Sequence, residues 1–410
     1  MSLNLTTYDS LLKRLYPSER VWELVYQRYP LLNLFEKARQ ASGGQALVVP
    51  LIYSGTNNRS ADISVALAAD SAIASAAFLI TTSSNFNTAK VDHKTILSSQ
   101  TDKMAFGRSL DRAIKGAMDA LMRDIGGTMF RDGTGAFGVI SSISKSGTSG
   151  TITFTSRQAC RFLEPGCVMS ASASADLSSP DTYFLTVTKV DRQNGIVTYS
   201  ATSDAGAAWA AASYVFLKGD ANAKFKGLGS WLPSGTGRTA ALAASFFGVT
   251  RDVDPVRLGG LAFDASASSI EGALIEAESR LSEEGGMADV VVMAPSDVVK
   301  LKEAVGSRYI AGNLPGANAK ISYPSMVLAS SQNAIEIIPD PFCPAGTAYM
   351  LQTETWRIAH LGKDLVNTWN EDGLGALRAN DSNDLIIRMY SYMQPYCEAP
   401  GFNCVITGLT

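Results

Sequence analysis

The chain has 410 residues, of which 46% are hydrophobic and only 18% are charged, and its formal net charge is −3. This length accommodates two or three domains with a large apolar core. The near-neutral charge and the lack of a Lys/Arg run argue against binding of nucleic acid through a basic surface. There is no run of 18 apolar residues, so no membrane-spanning helix is predicted. The low charged fraction favours a surface that is used for protein contacts.

The first 43 residues predict a helical N-terminal arm. Apolar residues recur at helical spacing from Val21 to Tyr29, and Pro30 ends the run. A pair of ordinary packed helices explains the pattern equally well, and both interpretations stay open. No signal peptide is expected, because charged residues interrupt residues 11–26.

Residues 44–97 predict a long hairpin with two extended arms, GGQALVVPLIYSGT and AAFLITTSSNFNTAKVDHKTIL. Gly43 and Gly44 are predicted to form a hinge at its base. Since a long helix follows directly, the hairpin finds little cover on its own chain, and we expect a neighbouring copy to bury it. The residues expected in that contact are Leu47, Val49, Leu51 and Tyr53 on one face of the first arm, and Asn57, Asn58 and Arg59 at the polar tip.

A long amphipathic helix is predicted over residues 103–131. Its apolar stripe consists of Leu110, Ile114, Ala117, Leu121 and Ile125. The opposite side is charged, and it is expected either to make polar contacts with other subunits or simply to be solvated. Its residues are Arg108, Asp111, Arg112, Lys115 and Asp119. Gly126 and Gly127 are predicted to form a second hinge or bend.

Residues 139–226 predict a small inserted β-domain, either a barrel or a sandwich. The segment is rich in Ser, Thr and β-branched residues in short alternating runs, and Asn194-Gly195 is a hairpin-turn pair.

From Gly227 onward the pattern is mixed. A helix begins after Ser269, and the run DVVVM predicts a short buried strand. The chain as a whole therefore predicts an α+β fold.

No catalytic, cofactor or metal site is predicted. The two histidines, His93 and His360, each lie in a strand pattern without spaced partners. Phosphate-binding loops, His-Glu-x-x-His and Gly-x-Ser-x-Gly are all lacking. The cysteines are odd in number and too widely spaced for a zinc knuckle, so they are expected to be buried, reduced thiols. They are Cys160, Cys167, Cys343, Cys397 and Cys404.

The order of these elements resembles the major capsid proteins of tailed bacteriophages, whose shell fold also occurs in encapsulins. The resemblance is carried by the hairpin and then by the helix DKMAFGRSLDRAIKGAMDALMRDIGGTMFRDGTGAFGVI. It continues through ADVVVMAPSDVVKLKEAV, DPFCPAGTAYMLQTETWRIAHLG and NDLIIRMYSYMQPYCEAPGFNCVITGL. It covers about residues 1–138 and 227–410, and it rests on the order of elements without a single diagnostic motif.

The resemblance implies a tailed-phage capsid fold in five parts. These are an N-terminal arm (1–43), an extended loop (44–97), a peripheral domain with a spine helix (98–138 and 339–394), an inserted β-barrel-like domain (139–226) and an axial domain (227–338 and 395–410). It implies a structural protein that is not an enzyme. Pentamers and hexamers would build an icosahedral shell around double-stranded DNA, assembled in the host cytoplasm and located in the virion capsid.

The implied partners are other copies of the chain, a separate scaffolding protein, a portal, and packaged DNA that is contacted weakly and without sequence specificity. A decoration protein is a further candidate, and no membrane partner is expected. Since no lysine lies between Lys37 and Lys90, a crosslink from the loop tip is not expected. A fused scaffold is not expected either, because the sequence begins directly with the arm.

Two alternative functions stay open from the sequence. The first is an encapsulin-like compartment, which would have the same fold around an enzyme cargo. The second is a multidomain enzyme whose site the motifs do not reveal. Particle content separates the capsid from the compartment, and sedimentation separates both from a small enzyme oligomer.

Overall fold

The computed structural model describes residues 29–39, 46–69, 72–91, 103–204, 209–305, 326–329, 334–369, 377–378 and 385–409. Within the helix that begins at Lys103, the side chains of residues 103–113 are outside this description. The predicted hinge at Gly43 and Gly44, His93 and most of the predicted N-terminal arm also lie outside the described residues.

The described residues form a mixed α+β structure, which confirms the predicted fold class. The helices are α1 (Pro30–Leu34), α2 (Ile63–Ala68), α3 (Lys103–Thr128), α4 (Leu228–Trp231), α5 (Arg238–Ala243), α6 (Ile270–Glu283) and α7 (Pro295–Val305). The first strands are β1 (Glu36–Arg39), β2 (Leu47–Ser54), β3 (Ala74–Ile80) and β4 (Ser83–Val91). Six more follow: β5 (Gly138–Ser146), β6 (Ser149–Phe154), β7 (Val168–Ser172), β8 (Leu185–Asp191), β9 (Ile196–Ala201) and β10 (Tyr214–Leu217).

The later strands complete the fold. They are β11 (Ser245–Phe246), β12 (Val249–Thr250), β13 (Leu261–Asp264), β14 (Val290–Met293), β15 (Met326–Ala329), β16 (Ala334–Pro339), β17 (Thr347–Leu351), β18 (Trp356–Leu361), β19 (Asn367–Thr368), β20 (Leu377–Arg378), β21 (Leu385–Cys397) and β22 (Cys404–Thr407). Contacts within the chain divide it into two compact units. Unit 1 comprises residues 1–32, 83–226 and 360–393, and unit 2 comprises residues 33–82, 227–359 and 394–410.

Unit 1 is organised around the long helix α3. Of the predicted apolar stripe, Ile114, Leu121 and Ile125 are buried and Ala117 is half-buried, while the side chain of Leu110 lies outside the described residues. Strand β4 lies beside the helix, and the side-chain amide of Asn87 donates a hydrogen bond to the carbonyl of Ala117 at 2.6 Å. The helix thus covers one face of the sheet to which β4 belongs.

Strand β4 corrects the predicted extent of the hairpin. The sequence places residues 83–91 in the returning arm of the extended loop. In the structure, β4 pairs antiparallel with β21, from Ser83 opposite Met393 to Val91 opposite Leu385. The hairpin therefore ends at Ile80, and β4 belongs to unit 1. Alternating polarity indicates a strand but carries no information about its pairing partner.

A closed β-barrel occupies most of the segment that was predicted as an insertion. Its six antiparallel strands run in the order β10-β5-β6-β9-β8-β7. Alternate side chains of these strands point inward and form one apolar core. That core includes Ile140, Ile152, Phe154, Val187, Val197, Trp209 and Val215. The barrel belongs to the same compact unit as α3.

A buried lysine links the exit of the barrel to α3 and β4. The Lys224 ammonium lies 2.5 Å from a carboxylate oxygen of Asp124 on α3 and 3.2 Å from one of Asp220. It also donates to the side-chain oxygen of Asn85 on β4 at 3.2 Å. Burial raises the pKa of Asp220 to about 6, while the nearby Lys224 charge opposes that shift. The neighbouring carboxylates raise the pKa of Lys224 despite its burial.

The two glycines at the end of α3 lie against aromatic rings. The helix continues through both glycines to Thr128. A Cβ atom on Gly126 would lie 2.5 Å from the Tyr29 ring, and one on Gly127 would lie 2.0 Å from the Phe162 ring. Phe162 is itself held between the Phe137 ring, at 5.9 Å, and the Arg131 guanidinium, at 4.4 Å. The glycines therefore permit close packing, and the hinge role proposed for them stays a prediction.

Unit 2 contains a six-stranded mixed sheet in the order β13-β22-β17-β14-β16-β15. The β13–β22 and β14–β16 pairs are parallel, and the other neighbours are antiparallel. Helix α6 begins at Ser269, whose side chain accepts a hydrogen bond from the Gly272 amide. The buried side of the helix packs into one apolar cluster with the sheet. That cluster includes Ala273, Leu274, Ala277, Leu281, Val291, Met293, Met350 and Ile406.

The sheet of unit 2 also corrects the predicted domain boundaries. The sequence assigns residues 339–394 to the domain of the long helix. Strand β17 instead pairs with β14 on one side and β22 on the other. Residues 339–359 therefore belong to unit 2, and the chain passes into unit 1 within β18.

The described piece of the N-terminal arm is packed as well, since Leu31, Leu32 and Phe35 are buried.

All five cysteines are free thiols, and four of them are buried. Burial raises the pKa of Cys160 to about 11 and those of Cys397 and Cys404 to about 12. These thiols therefore stay protonated at neutral pH and are poor nucleophiles.

The packing of Gly127 predicts opposite effects for two substitutions in α3. Gly127→Ala should lower the free energy of unfolding by about 1–3 kcal/mol, because the new methyl group overlaps the Phe162 ring. Gly116→Ala should raise it by about 0.5–1 kcal/mol, because nothing lies within 4 Å of the added atom and alanine favours the helix. Urea denaturation of both variants measures this. Equal effects of the two substitutions would contradict the packing role.

The Lys224 cluster predicts a large loss of stability in Lys224→Met. Removing the ammonium leaves Asp124 and Asp220 without their shared cation in a largely buried site, which should cost about 3 kcal/mol. Lys189→Met, at an exposed position of the same barrel, should change stability by less than about 0.5 kcal/mol. Thermal and urea unfolding of the pair provide the measurement. A similarly small effect at both positions would show that the buried cluster is not stabilising.

Candidate assembly surface

The extended loop is a two-stranded hairpin formed by β2 and β3 in unit 2. The strands pair antiparallel from Leu47 opposite Ile80 to Ile52 opposite Ser75. The register shifts between Ile52 and Ser54, which places a bulge at Tyr53. An isolated two-stranded hairpin is only marginally stable in water, so the packing of its two faces decides its conformation.

The inner face of the hairpin packs on unit 2. It comprises Leu47, Val49, Leu51, Ala76, Phe78 and Ile80, of which Val49, Phe78 and Ile80 are buried and the others partly buried. The Phe78 ring lies edge-on to Trp231, with centroids 5.2 Å apart, and 6.3 Å from Phe246. The expectation that the loop finds little cover on its own chain is therefore wrong for this base.

The outer face of the hairpin is exposed and apolar. It comprises Val48, Pro50, Ile52, Ala77 and Leu79, all of which are exposed. Ile52 alone exposes 68% of its surface. The predicted contact residues Leu47, Val49 and Leu51 lie on the inner face, and Tyr53 is half-buried at the bulge. Alternation grouped these residues correctly but did not show which face their own chain covers.

The tip of the hairpin adds further exposed apolar side chains. Helix α2 buries none of its residues, and Ile63 and Leu67 expose 72% and 79% of their surfaces. Asp62 caps the helix by accepting hydrogen bonds from the amide and hydroxyl of Ser64 at 2.9 and 2.7 Å. These hydrogen bonds lower the pKa of Asp62. The predicted tip residues are also exposed, namely Asn57, Asn58 and Arg59.

Unit 1 carries a second apolar surface, a row of four aromatic side chains that we call the aromatic face, of which Phe86 is exposed and the other three are partly buried. Its residues are Phe86 on β4, Tyr390 and Tyr392 on β21, and Trp369 just after β19. Neighbouring ring centroids in this row lie 5.1–5.8 Å apart. Phe86 exposes 62% of its surface, and Tyr390 lies directly opposite it across the strands. The buried alternate residues of β4 and β21, such as Ala89 and Met389, point the other way.

The charged side of α3 is only partly described. Lys115 is exposed and Asp119 is half-buried. The side chains of Arg108, Asp111 and Arg112 lie outside the described residues. A role for this side in subunit contacts therefore stays a prediction.

The described residues contain neither a candidate metal cluster nor a candidate membrane-spanning helix. No group of three or more His, Cys, Asp or Glu side chains there is arranged to hold a metal ion. None of the helices in the described part of the chain is long and apolar enough to cross a membrane.

Comparison with solved structures identifies the fold. No protein-family model and no curated protein sequence matches the chain. The structure of the cyanophage A-1(L) capsid asymmetric unit matches with a TM-score of 0.52 at 12% sequence identity, over 93% of this chain and 92% of that one. The chain has the shell fold of tailed-phage capsid proteins.

Two further solved structures match less closely. The capsid of a native GTA particle matches with a TM-score of 0.46 at 9% identity, over 93% of this chain and 90% of that one. The SrpI encapsulin of Synechococcus elongatus PCC 7942 matches with a TM-score of 0.42 at 7% identity, over 92% of this chain and 86% of that one. The fold assignment rests on the cyanophage similarity.

In this capsid fold, the sequence did not identify the residues of unit 2 on which the inner face of the hairpin packs, or the arginine that supports them. Arg251 is buried, and its guanidinium donates hydrogen bonds to the carbonyls of Ser230 and Trp231 at 3.0 and 3.1 Å. It also lies 3.9 Å from the centre of the Phe246 ring. Burial lowers the pKa of Arg251 to about 10, so it stays charged at neutral pH. One signal was available, since residues 46–52 contain no polar side chain and both faces of β2 had to be apolar.

Proposed function

We propose that this chain is a major capsid protein that assembles into the icosahedral shell of a tailed bacteriophage. The capsid fold supports this proposal, but it is shared by shells with different contents and does not decide the function alone. The observation that carries it is the exposed apolar surface of the hairpin. Its largest exposed side chains are Val48 and Ile52 on the outer face and Ile63 and Leu67 at the tip.

The exposed hairpin surface is suited to contact with another copy. Burying one large aliphatic side chain contributes about 1.5–3 kcal/mol, and specific interfaces bury roughly 1,200–2,000 Å². Several such side chains on a projecting hairpin are a substantial share of such an interface. Clusters of exposed apolar side chains generally mark a site of protein contact.

The surface that we propose for the hairpin on the second copy is the aromatic face. Flat aromatic rings provide large apolar contact area with little loss of side-chain entropy. The hairpin surface and the aromatic face differ, so contact between them is heterologous, and heterologous contacts generate closed rings when the rotation closes. Rings of five and six copies are the pentamers and hexamers of the proposed shell.

The remaining parts of the proposal concern partners and location. The shell would enclose double-stranded DNA, and the formal charge of −3 suits weak, sequence-independent confinement of that DNA. A separate scaffolding protein and a portal would take part in assembly in the host cytoplasm. The mature protein would then lie in the virion capsid.

The outer face yields a direct test of assembly. Ile52→Asp should abolish particle formation, because it places a charge within the proposed apolar contact. The free energy of unfolding of the subunit should change by less than about 0.5 kcal/mol, because the residue is exposed. Negative-stain microscopy and sedimentation of the co-expressed shell measure assembly. Leu51→Asp is a less specific probe, because Leu51 lies on the inner face and is partly covered by its own chain.

Thr56→Asp is the matched control, since Thr56 is an exposed polar residue of the same hairpin. It should assemble normally. Normal shells from Ile52→Asp would refute the proposed role of the outer face.

A second pair of variants tests the aromatic face. Phe86→Ser should reduce shell yield at least tenfold while the subunit stays folded, because it removes the most exposed ring of the row. Thr88→Ser changes the next exposed residue of β4 conservatively and should have no effect. If Phe86→Ser shells form normally, the hairpin binds elsewhere or the aromatic face serves a scaffolding or decoration protein.

Particle content decides between the capsid and a protein compartment. Nuclease-protected DNA in particles from infected cells supports the capsid, whereas an enclosed enzyme supports an encapsulin-like function. A subunit that remains a small oligomer at high concentration, with its scaffold present, would contradict both.

A further inference from the structure

Hydrogen bonds to the backbone of both strands tie the described part of the hairpin to the body of unit 2. On β3, the Leu79 amide donates a hydrogen bond to the Phe247 carbonyl at 2.9 Å. On β2, the Tyr53 carbonyl accepts a hydrogen bond from the Arg257 guanidinium at 2.6 Å. The two contacts differ in how firmly the body holds the partner residue.

The Phe247 contact is built into a rigid turn. Phe247 and Gly248 connect β11 and β12, and their φ angles are +50° and +86°. Two positive φ angles define a type I′ turn, in which a bulky residue such as Phe is disfavoured by about 1–2 kcal/mol. The Phe247 ring stacks on Trp231, with centroids 5.8 Å apart and an interplanar angle of 28°. The surrounding aromatic packing thus holds a strained turn in place, with its carbonyl towards β3.

The Arg257 contact is more exposed. The Arg257 side chain is 56% exposed, and it also forms an ion pair with Asp254, at 3.7 Å. The carbonyl that it binds belongs to the bulge residue Tyr53, where the register of the two strands shifts. A bulge interrupts the ladder of hydrogen bonds between the two strands and bends its strand. Strand pairing therefore constrains the direction of the hairpin less beyond the bulge than before it.

The contact with Arg257 also marks a boundary in burial. Below the bulge, Val49 and Phe78 are buried. Beyond it, residues 55–65 are all exposed. Loss of the Arg257 contact would therefore free the distal hairpin without opening the packed base.

We propose that Arg257 is a positioning residue that fixes the direction of the distal hairpin before assembly, with the Phe247 turn as the fixed support on the other strand. This deepens the proposed function and rests on it for its consequence in shell formation. A projecting hairpin that samples many directions must lose that freedom when it binds, so fixing it in advance strengthens the contact. The Arg257 hydrogen bond is charge-assisted, and such bonds are stronger than neutral ones.

The distance between the hairpin tip and the body of unit 2 tests this in the unassembled subunit. Spin labels are placed at Thr56→Cys on the hairpin and Glu283→Cys on α6, in a Cys167→Ser background that removes the one cysteine that is not buried. Double electron–electron resonance should give a narrow distance distribution with Arg257 present. Arg257→Ala should broaden it at least twofold, and Arg257→Lys, which keeps a cationic donor, should stay close to the parent.

Arg280→Ala is the matched control, because Arg280 is a half-exposed arginine of the same unit with an ion pair to Glu276. It should leave the distribution unchanged. Without labels, Arg257→Ala should raise the subunit concentration needed for half-maximal assembly by about tenfold, as expected for losing one charge-assisted hydrogen bond. The urea midpoint of the subunit should not move, because the base of the hairpin stays packed.

The outcomes separate this inference from the proposed function. An unchanged distance distribution in Arg257→Ala, or equal broadening in Arg280→Ala, would overturn the positioning role whether or not shells form. Broadening with unchanged assembly would overturn its consequence for the shell. A subunit that never forms particles would refute the proposed function, while the distance measurement would still decide the role of Arg257.

Discussion

Both faces of the hairpin are apolar, but unit 2 covers only one of them. Successive side chains of a strand point to opposite faces, so a shift of register by one residue would exchange the two faces without hiding either. The aromatic cluster around Trp231 fixes the choice by burying Phe78 and Val49. Val48 and Ile52 are then left in contact with water. A second surface must cover them if the hairpin is to be buried throughout, which supports the proposed shell over a solitary subunit.

The base and the tip of the hairpin are stabilised in different ways. The base is held by ring packing and by the strained turn at Phe247, which its surroundings keep in place. Helix α2 at the tip buries none of its residues, so its local stability depends on the Asp62 cap and on helix propensity. A short helix with so little support gains most when a partner surface covers it. Stability thus decreases along the hairpin in the direction of the proposed contact.

Sequence periodicity predicted which residues share a face of a helix or a strand. The stripe on α3, the cap at Ser269 and the strands of the barrel follow from helical spacing, capping chemistry and alternation. Periodicity did not show what covers a face. Strand β4 pairs with β21, nearly 300 residues later, and nothing in the local pattern of either strand specifies the other. The inner face of the hairpin was misjudged for the same reason, since Trp231 and Phe246 are distant in sequence.

The glycines of α3 show how packing changes the meaning of a sequence signal. A Gly-Gly pair in a helix predicts a bend, because glycine lowers helix propensity. Here the pair lies where the Tyr29 and Phe162 rings approach the backbone. The same stretch of helix is tied to its surroundings by the Arg123–Glu164 ion pair and by Lys224 on Asp124. The end of α3 and the barrel are therefore expected to behave as one body. The hairpin beyond Tyr53 has fewer such ties among the described residues, which is why its direction depends on the Arg257 contact.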